Sequence, residues 1–257
     1  MLTKRQKITI STILLSLGLF AIPVVDPKLR IYFLGSLVLG SYLLSVWSIF
    51  QELAGFEFVT LFVLPVLLTL SFGLFIRQYN PIQELRLLLA FVYGAALYTI
   101  LLAENIFNVS AERNIPLIRA ARTVGYLVTL FVALTFFSLF LSFGLDWWLI
   151  GLITFVVGFL LFAQALWQIE LDERLSGELI THSLVAGLVM AELAVSLAFW
   201  PLDPAKVGLA LTAMVYVMLG ILQHMVKKDL NRRTALEYVF LSFCVFLFLI
   251  LTTSWGI

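Results

Sequence analysis

The chain has 257 residues, 62% of them hydrophobic and only 12% charged, with 16 basic and 15 acidic side chains and a net charge of +1. Soluble domains carry about a quarter of their residues as charges, so this chain has too few to cover a water-exposed surface of its size. The same composition excludes a disordered chain, a collagen-like repeat and a basic nucleic-acid-binding module.

A membrane-crossing helix needs about 20 mostly apolar residues. Such runs occur near residues 8–25, 31–50, 56–76, 85–106, 123–143, 147–167, 179–200, 207–226 and 236–255. The reading is an all-α, polytopic transmembrane helix bundle. It is a single domain over residues 1–257, with loops too short to hold a soluble domain.

Lys4, Arg5 and Lys7 precede the first span as in a secretory leader. The run ends Ala21-Ile22-Pro23-Val24-Val25 with no small-x-small cleavage site, so the first helix is expected to be retained. Asp26-Pro27, Asn80-Pro81 and Asp203-Pro204 each set a capping side chain before a proline. Spans two, four and eight are expected to begin at these prolines, which lack the N–H that a helix start leaves unbonded. Pro23-x-x-Asp26-Pro27-Lys28 and Pro201-x-Asp203-Pro204-x-Lys206 are alike. They read as one solution to one kind of turn, because the helices that follow them differ. Pro65 is the one proline expected at depth, in span three.

The densest polar stretch joins spans four and five: Glu104-Asn105-Ile106-Phe107-Asn108-Val109-Ser110-Ala111-Glu112-Arg113, followed by Pro116, Arg119 and Arg122. Glu104, Asn108 and Glu112 are four apart and share a helix face. Pro116 is expected to start the next helix and bring Arg119 and Arg122 round near its N-terminus, where they meet a carboxylate or an anionic headgroup. Glu104, Asn105, Asn108, Glu112, Arg113, Arg119 and Arg122 are therefore a candidate polar or headgroup site. The stretch from Ala103 to Gly125 resembles a set of uncharacterised bacterial multi-pass membrane proteins grouped as a domain of unknown function. That resemblance implies a bacterial cytoplasmic membrane and no particular activity.

Glu170, Asp172, Glu173, Arg174 and Glu178 form an acidic turn into span seven, with Glu170 and Arg174 spaced as a helical ion pair. In span seven itself Glu192 stands near the middle. A charged carboxylate at that depth costs several kcal/mol, so it should be neutral, paired or facing water. Glu178, His182, Glu192 and Ser196 fall in one wedge of the helix. Ser183, Gly187, Ala191, Ala194 and Ala198 supply small residues that admit a close neighbour. Span seven is therefore expected at the centre of the bundle. Glu192 is expected to face inward in its neutral form and to bond one of Tyr93, Thr135 or Thr212, which lie at matching depth. With His182, these residues make a candidate intramembrane proton or packing site.

With the N-terminus in the cytoplasm, 11 of the 16 Lys and Arg fall on the inner side. The outer five are Lys28, Arg30, Arg77, Arg86 and Lys206. All six tryptophans fall at span ends, Trp47 and Trp167 inside and Trp147, Trp148, Trp200 and Trp255 outside, as interfacial indoles do. An N-in, C-out chain fits both patterns.

The sole cysteine, Cys244, excludes an internal disulfide, and two histidines, His182 and His224, are too few for a multi-histidine metal centre. No metal or cofactor is expected. Gly-rich phosphate loops, Gly-x-Ser-x-Gly and His-Glu-x-x-His are missing, which speaks against an enzyme. The first reading is a non-enzymatic structural, assembly or transport-related bundle in the cell membrane, in contact with lipids and anionic headgroups and with no nucleic acid. One alternative is a membrane-embedded enzyme acting on a lipid-linked phosphate or sugar at the cytoplasmic face. There Glu104 or Glu112 is the base, and Arg113, Arg119 and Arg122 hold the anion. The other is a proton-coupled carrier using Glu192.

Overall fold

A computed structural model of the chain describes residues 2–50, 57–112, 117–171, 176–228 and 230–253, with the backbone alone at Glu57 and 110–112. Among the described residues nine helices are long and apolar enough to cross a membrane, and there is no strand. They are α1 (Lys4–Ala21), α2 (Arg30–Ile49), α3 (Val63–Tyr79), α4 (Gln83–Glu112), α5 (Ile118–Phe140), α6 (Trp147–Glu170), α7 (Gly177–Ala198), α8 (Pro204–Val226) and α9 (Arg232–Thr252). The chain divides into two compact units, Met1–Val128 with Leu171–Arg174, and Thr129–Glu170 with Leu175–Ile257. The division falls inside α5.

At the start of α1 a polar cap carries the helix beyond its apolar run. Thr3 and Gln6 form a capping box, with Thr3 N–H donating to Gln6 Oε1 at 2.9 Å and Gln6 N–H donating to Thr3 Oγ1 at 3.3 Å. This carries α1 outward through Lys4, Arg5 and Lys7. Only one of the three expected proline starts occurs. α8 begins at Pro204, but the N-cap Asp203 makes no side-chain cap and pairs with Lys206 Nζ at 3.0 Å. After Pro27 the chain makes a turn in which Lys28 N–H donates to Asp26 Oδ1 at 2.9 Å, and α2 begins only at Arg30. Asn80 ends α3 rather than opening α4: it is left-handed (φ 42°) and its N–H donates to Ile76 O at 3.0 Å, as a C-terminal cap does.

In the first unit, α1, α2, α3 and α4 pack on one another. α3 forms its core, with 72% of its most apolar window buried. Pro65 stands in the first turn of α3, not in a helix interior. It has no N–H for the carbonyl of Leu61 and its ring crowds that carbonyl. A single helical turn, Glu57–Thr60, therefore ends at Leu61–Phe62 and the helix restarts at Val63.

In the second unit the central contact is α6 on α7. A Cβ on Gly187 would stand 3.0 Å from both Phe155 O and Phe159 N, so the two backbones approach closely there and a side chain would have to displace backbone atoms. α8 packs on α6 and α7, and α9 lies along α8. Only 6% of the α9 window is buried, and Leu249 is its one buried residue among those described.

Three of the five basic residues assigned to the outer side hold helix ends together. Arg30 donates to Val25 O at 3.0 Å and Pro23 O at 2.8 Å, and Arg86 donates to Pro81 O at 3.2 Å. Lys206 Nζ donates to Thr252 O at 2.9 Å, placing a cation on the C-terminal end of α9. Trp167 departs from the interfacial pattern: it is 1% exposed and packs inside the second unit. Trp255 lies outside the described residues.

Candidate functional site

α4 carries a buried carboxyl group and a buried amide. It runs on to Glu112, past the expected end near 106, so Glu104, Asn105 and Asn108 lie on a helix and not in a turn. One face of it is buried from Tyr93 through Leu97 and Leu101 to Glu104 and Asn108. Glu104 is 1% exposed and Asn108 0%. Asn105, beside them, is half-buried, and its Oδ1 has no hydrogen-bond partner among the described residues. Glu104 follows Tyr93 by three helical turns, about 16 Å along the axis.

Tyr93 is fully buried and its hydroxyl lies 2.8 Å from Thr69 Oγ1. Thr69 Oγ1 donates to Pro65 O at 2.7 Å. Its single proton is thereby committed, so Tyr93 is the donor to Thr69. The three groups form a short relay between α4 and the restarted α3.

The arginines beyond this end of α4 do not act as a pair. Arg119 is exposed and makes no ion pair among the described residues, whereas Arg122, on another face of α5, is half-buried and engaged. Arg113, Pro116 and the side chain of Glu112 lie outside the described residues. So do Asp172, Glu173 and Arg174 of the acidic turn. Glu170 instead accepts from Ser176 Oγ at 3.1 Å, and Ser176 Oγ in turn accepts from Leu179 N–H at 3.1 Å as the N-cap of α7. Among the described residues there is no cluster of three metal-ligating side chains.

α7 carries two distinct faces. Ser183, Ala186, Gly187, Met190, Ala191 and Ala194 are buried. Glu178, Leu184, Val185, Leu188, Glu192 and Ser196 are exposed. The polar wedge thus lies opposite the small-residue stripe. The small residues win the helix contact because they let α6 approach closely, which turns Glu192 out. Glu192 bonds none of the three hydroxyls expected for it. Thr135 donates to Val132 O at 3.1 Å and Thr212 to Gly208 O at 2.7 Å, each satisfied within its own helix, and Tyr93 is committed to Thr69. His182 is half-buried, and its Nδ1 has no hydrogen-bond partner among the described residues. Nor is α7 the most buried helix of its unit: α6 is more deeply buried.

Sequence reading passed over two buried amides, Gln164 and Gln168, which are 1% and 4% exposed on one face of α6. The signal was present: two glutamines four apart inside an apolar run, where each must bond to something. It also missed two grooves. One, of about 510 Å3, lies between α1 and α4 and is lined by Thr12, Ser16, Phe20, Phe91, Gly94 and Tyr98 among others. The other, of about 260 Å3, lies between α7, α8 and α9, where Trp200 packs edge-on against Phe246 at 5.9 Å. Neither groove is lined by Glu104 or Glu192.

These features define an all-α bundle of helices long and apolar enough to cross a membrane, with polar groups buried along α4 and the carboxylates of Glu178 and Glu192 turned out on α7. The chain belongs to the family described as protein of unknown function (DUF5656), whose model matches residues 42–252, from within α2 to the end of α9. The stretch Ala103–Gly125 lies inside that match. No curated protein and no solved structure matches the chain.

Proposed function

We propose that the chain is a multi-pass protein of a bacterial cytoplasmic membrane, with its N-terminus inside and its C-terminus outside, and that it acts as a non-enzymatic assembly bundle that receives other membrane helices. The observation that carries this reading is the exposure of Glu192 beside Leu184, Val185 and Leu188, on a face that also carries Glu178 and Ser196. A carboxylate turned toward hydrocarbon costs several kcal/mol. A neighbouring helix that offers a hydrogen-bond donor at that level removes the cost. A photo-crosslinking residue at Leu188 is expected to capture protein in native membranes. Glu192→Gln should retain the capture, because an amide still bonds, and Glu192→Leu should abolish it. Capture of lipid alone, or capture indifferent to Glu192→Leu, overturns the reading.

A second reading draws on Glu104 and Asn108, buried one turn apart, and on the exposed Arg119 near the start of α5. A membrane-embedded enzyme would use such a carboxylate as base and such an arginine on the phosphate of a lipid-linked substrate at the cytoplasmic face. It requires turnover that Glu104→Gln abolishes while the chain still folds.

A further inference from the structure

We propose that the α1–α4 groove seats one acyl chain of an anionic glycerophospholipid whose phosphate is held by Arg5. This goes beyond the assembly reading and shares with it only the placement in a membrane.

α1 and α4 run antiparallel, with Arg5 meeting Tyr98, Ser16 against Gly94 and Phe20 beside Arg86. Ala90, Gly94 and Ala95 keep the α4 wall of the groove low. The hydroxyl oxygens of Thr12 and Ser16 are occluded at the helix contact, so between its ends the slot offers carbon alone. From Tyr98 to Leu87 the α4 wall covers eleven residues, about 16 Å. That is the depth of one leaflet of a hydrocarbon core about 30 Å thick. A volume of about 510 Å3 spread over this length leaves a section of about 30 Å2, whereas a helix about 10 Å across takes about 80 Å2. The slot admits an extended chain and not a helix. Left open, it would forfeit contacts along its lining, and a flexible acyl chain restores them.

The two ends of the groove differ in charge. At the far end Arg86 is spent on Pro81 O at 3.2 Å and on the Phe20 ring. At the near end Arg5 is exposed in the first turn of α1, ahead of the apolar run. Among the described residues its guanidinium meets only the Tyr98 hydroxyl, 3.5 Å from Nε. Lys4 and Lys7 stand beside it, and that turn carries no acidic residue. Clustered cations at a membrane surface favour lipids of net negative charge, and a guanidinium takes a phosphate through two parallel N–H bonds. Arg5, Thr9, Ile13 and Leu17 are four apart on one stripe of α1, and the last two line the groove. A phosphate on Arg5 is therefore in line with a chain in the slot, with Thr9 and Tyr98 at the level of the glycerol esters.

The test uses the full chain in phosphatidylcholine vesicles containing a trace of a probe lipid, either phosphatidylglycerol or phosphatidylcholine, with a photoreactive diazirine midway along one acyl chain. Cross-linked residues are mapped, and Phe240 and Phe243 on the exposed face of α9 serve as the reference for ordinary lipid contact. Relative to that reference, label on Ile13, Leu17, Phe91 and Ala95 is expected to be about fivefold higher with the phosphatidylglycerol probe, the factor that one basic residue near an anionic surface gives. Arg5→Ala should remove the excess and Arg5→Lys should keep part of it. Arg232→Ala, which deletes an exposed charge elsewhere, should leave it. Ala95→Phe fills the slot from an exposed position and should lower groove label from both probes while label on α9 persists. Equal groove label from the two probes, an excess indifferent to Arg5→Ala or lost equally with Arg232→Ala, or groove label indifferent to Ala95→Phe would overturn the proposal. So would inorganic phosphate that abolishes the excess at constant ionic strength, since the ligand would then be a free anion with no chain. If α9 itself takes no label, the placement in a membrane fails. If α9 takes label and the groove takes none, the chain seat alone fails.

Discussion

Hydroxyls in this protein are divided between those satisfied at home and those that reach across. Thr135 and Thr212 bond to carbonyls of their own helices, so neither spares a proton for a distant carboxylate. Thr69 does both, donating to Pro65 O and accepting from Tyr93. That asymmetry fixes what each substitution does. Tyr93→Phe removes a donor and leaves Thr69 still bonded to Pro65, so it should cost about 0.5–1.5 kcal/mol. Thr69→Val strands the buried Tyr93 hydroxyl and should cost more, about 1–3 kcal/mol. Thermal unfolding of the detergent-solubilised protein checks the order, and equal losses would show that Tyr93 finds a second partner.

Helices here are placed by their smallest residues. In lipid a leucine gains nothing by leaving the acyl chains for another helix, so contact rests on close packing and on hydrogen bonds. The α6–α7 pair shows the first of these. Gly187→Ala would set a methyl against backbone atoms of Phe155 and Phe159, which cannot rotate away as a side chain can. The expected loss is about 1–3 kcal/mol, read as a lower midpoint of unfolding, whereas Gly177→Ala, with nothing within 4 Å, should change little. The second appears at helix ends, where Arg30, Arg86 and Lys206 hold backbone carbonyls. Local bonding thus accounts for the position of these three basic residues.

For the molecule as a whole the testable quantity is its threading. An N-in chain with nine crossings puts the loop between α8 and α9 inside and the C-terminus outside. A reporter active only in the exported compartment should work when fused after Ile257 and fail when fused after Lys228. The reverse pattern would mean that the chain is inverted or that one of the first eight helices does not cross, and activity at both positions would mean that α9 does not cross.

The nine helices were legible in the sequence because a helix long enough to cross a bilayer depends on an apolar run and on hydrogen bonds within that run, both local. Capping residues such as Thr3 and Asn80, which act on their immediate neighbours, only shifted the ends. Burial of Glu104 and Asn108 was partly legible, since their spacing put them on one face, but the spacing could not say whether that face turned inward. For Glu192 the same kind of pattern pointed the wrong way. Both sides of a lipid-embedded helix are apolar, so hydropathy does not mark the inward face as it does in water. The inward face of α7 was decided by Gly187 meeting Phe155 and Phe159, a contact between residues of two helices. Only the tertiary structure holds that contact, and it left the carboxylate on the outside.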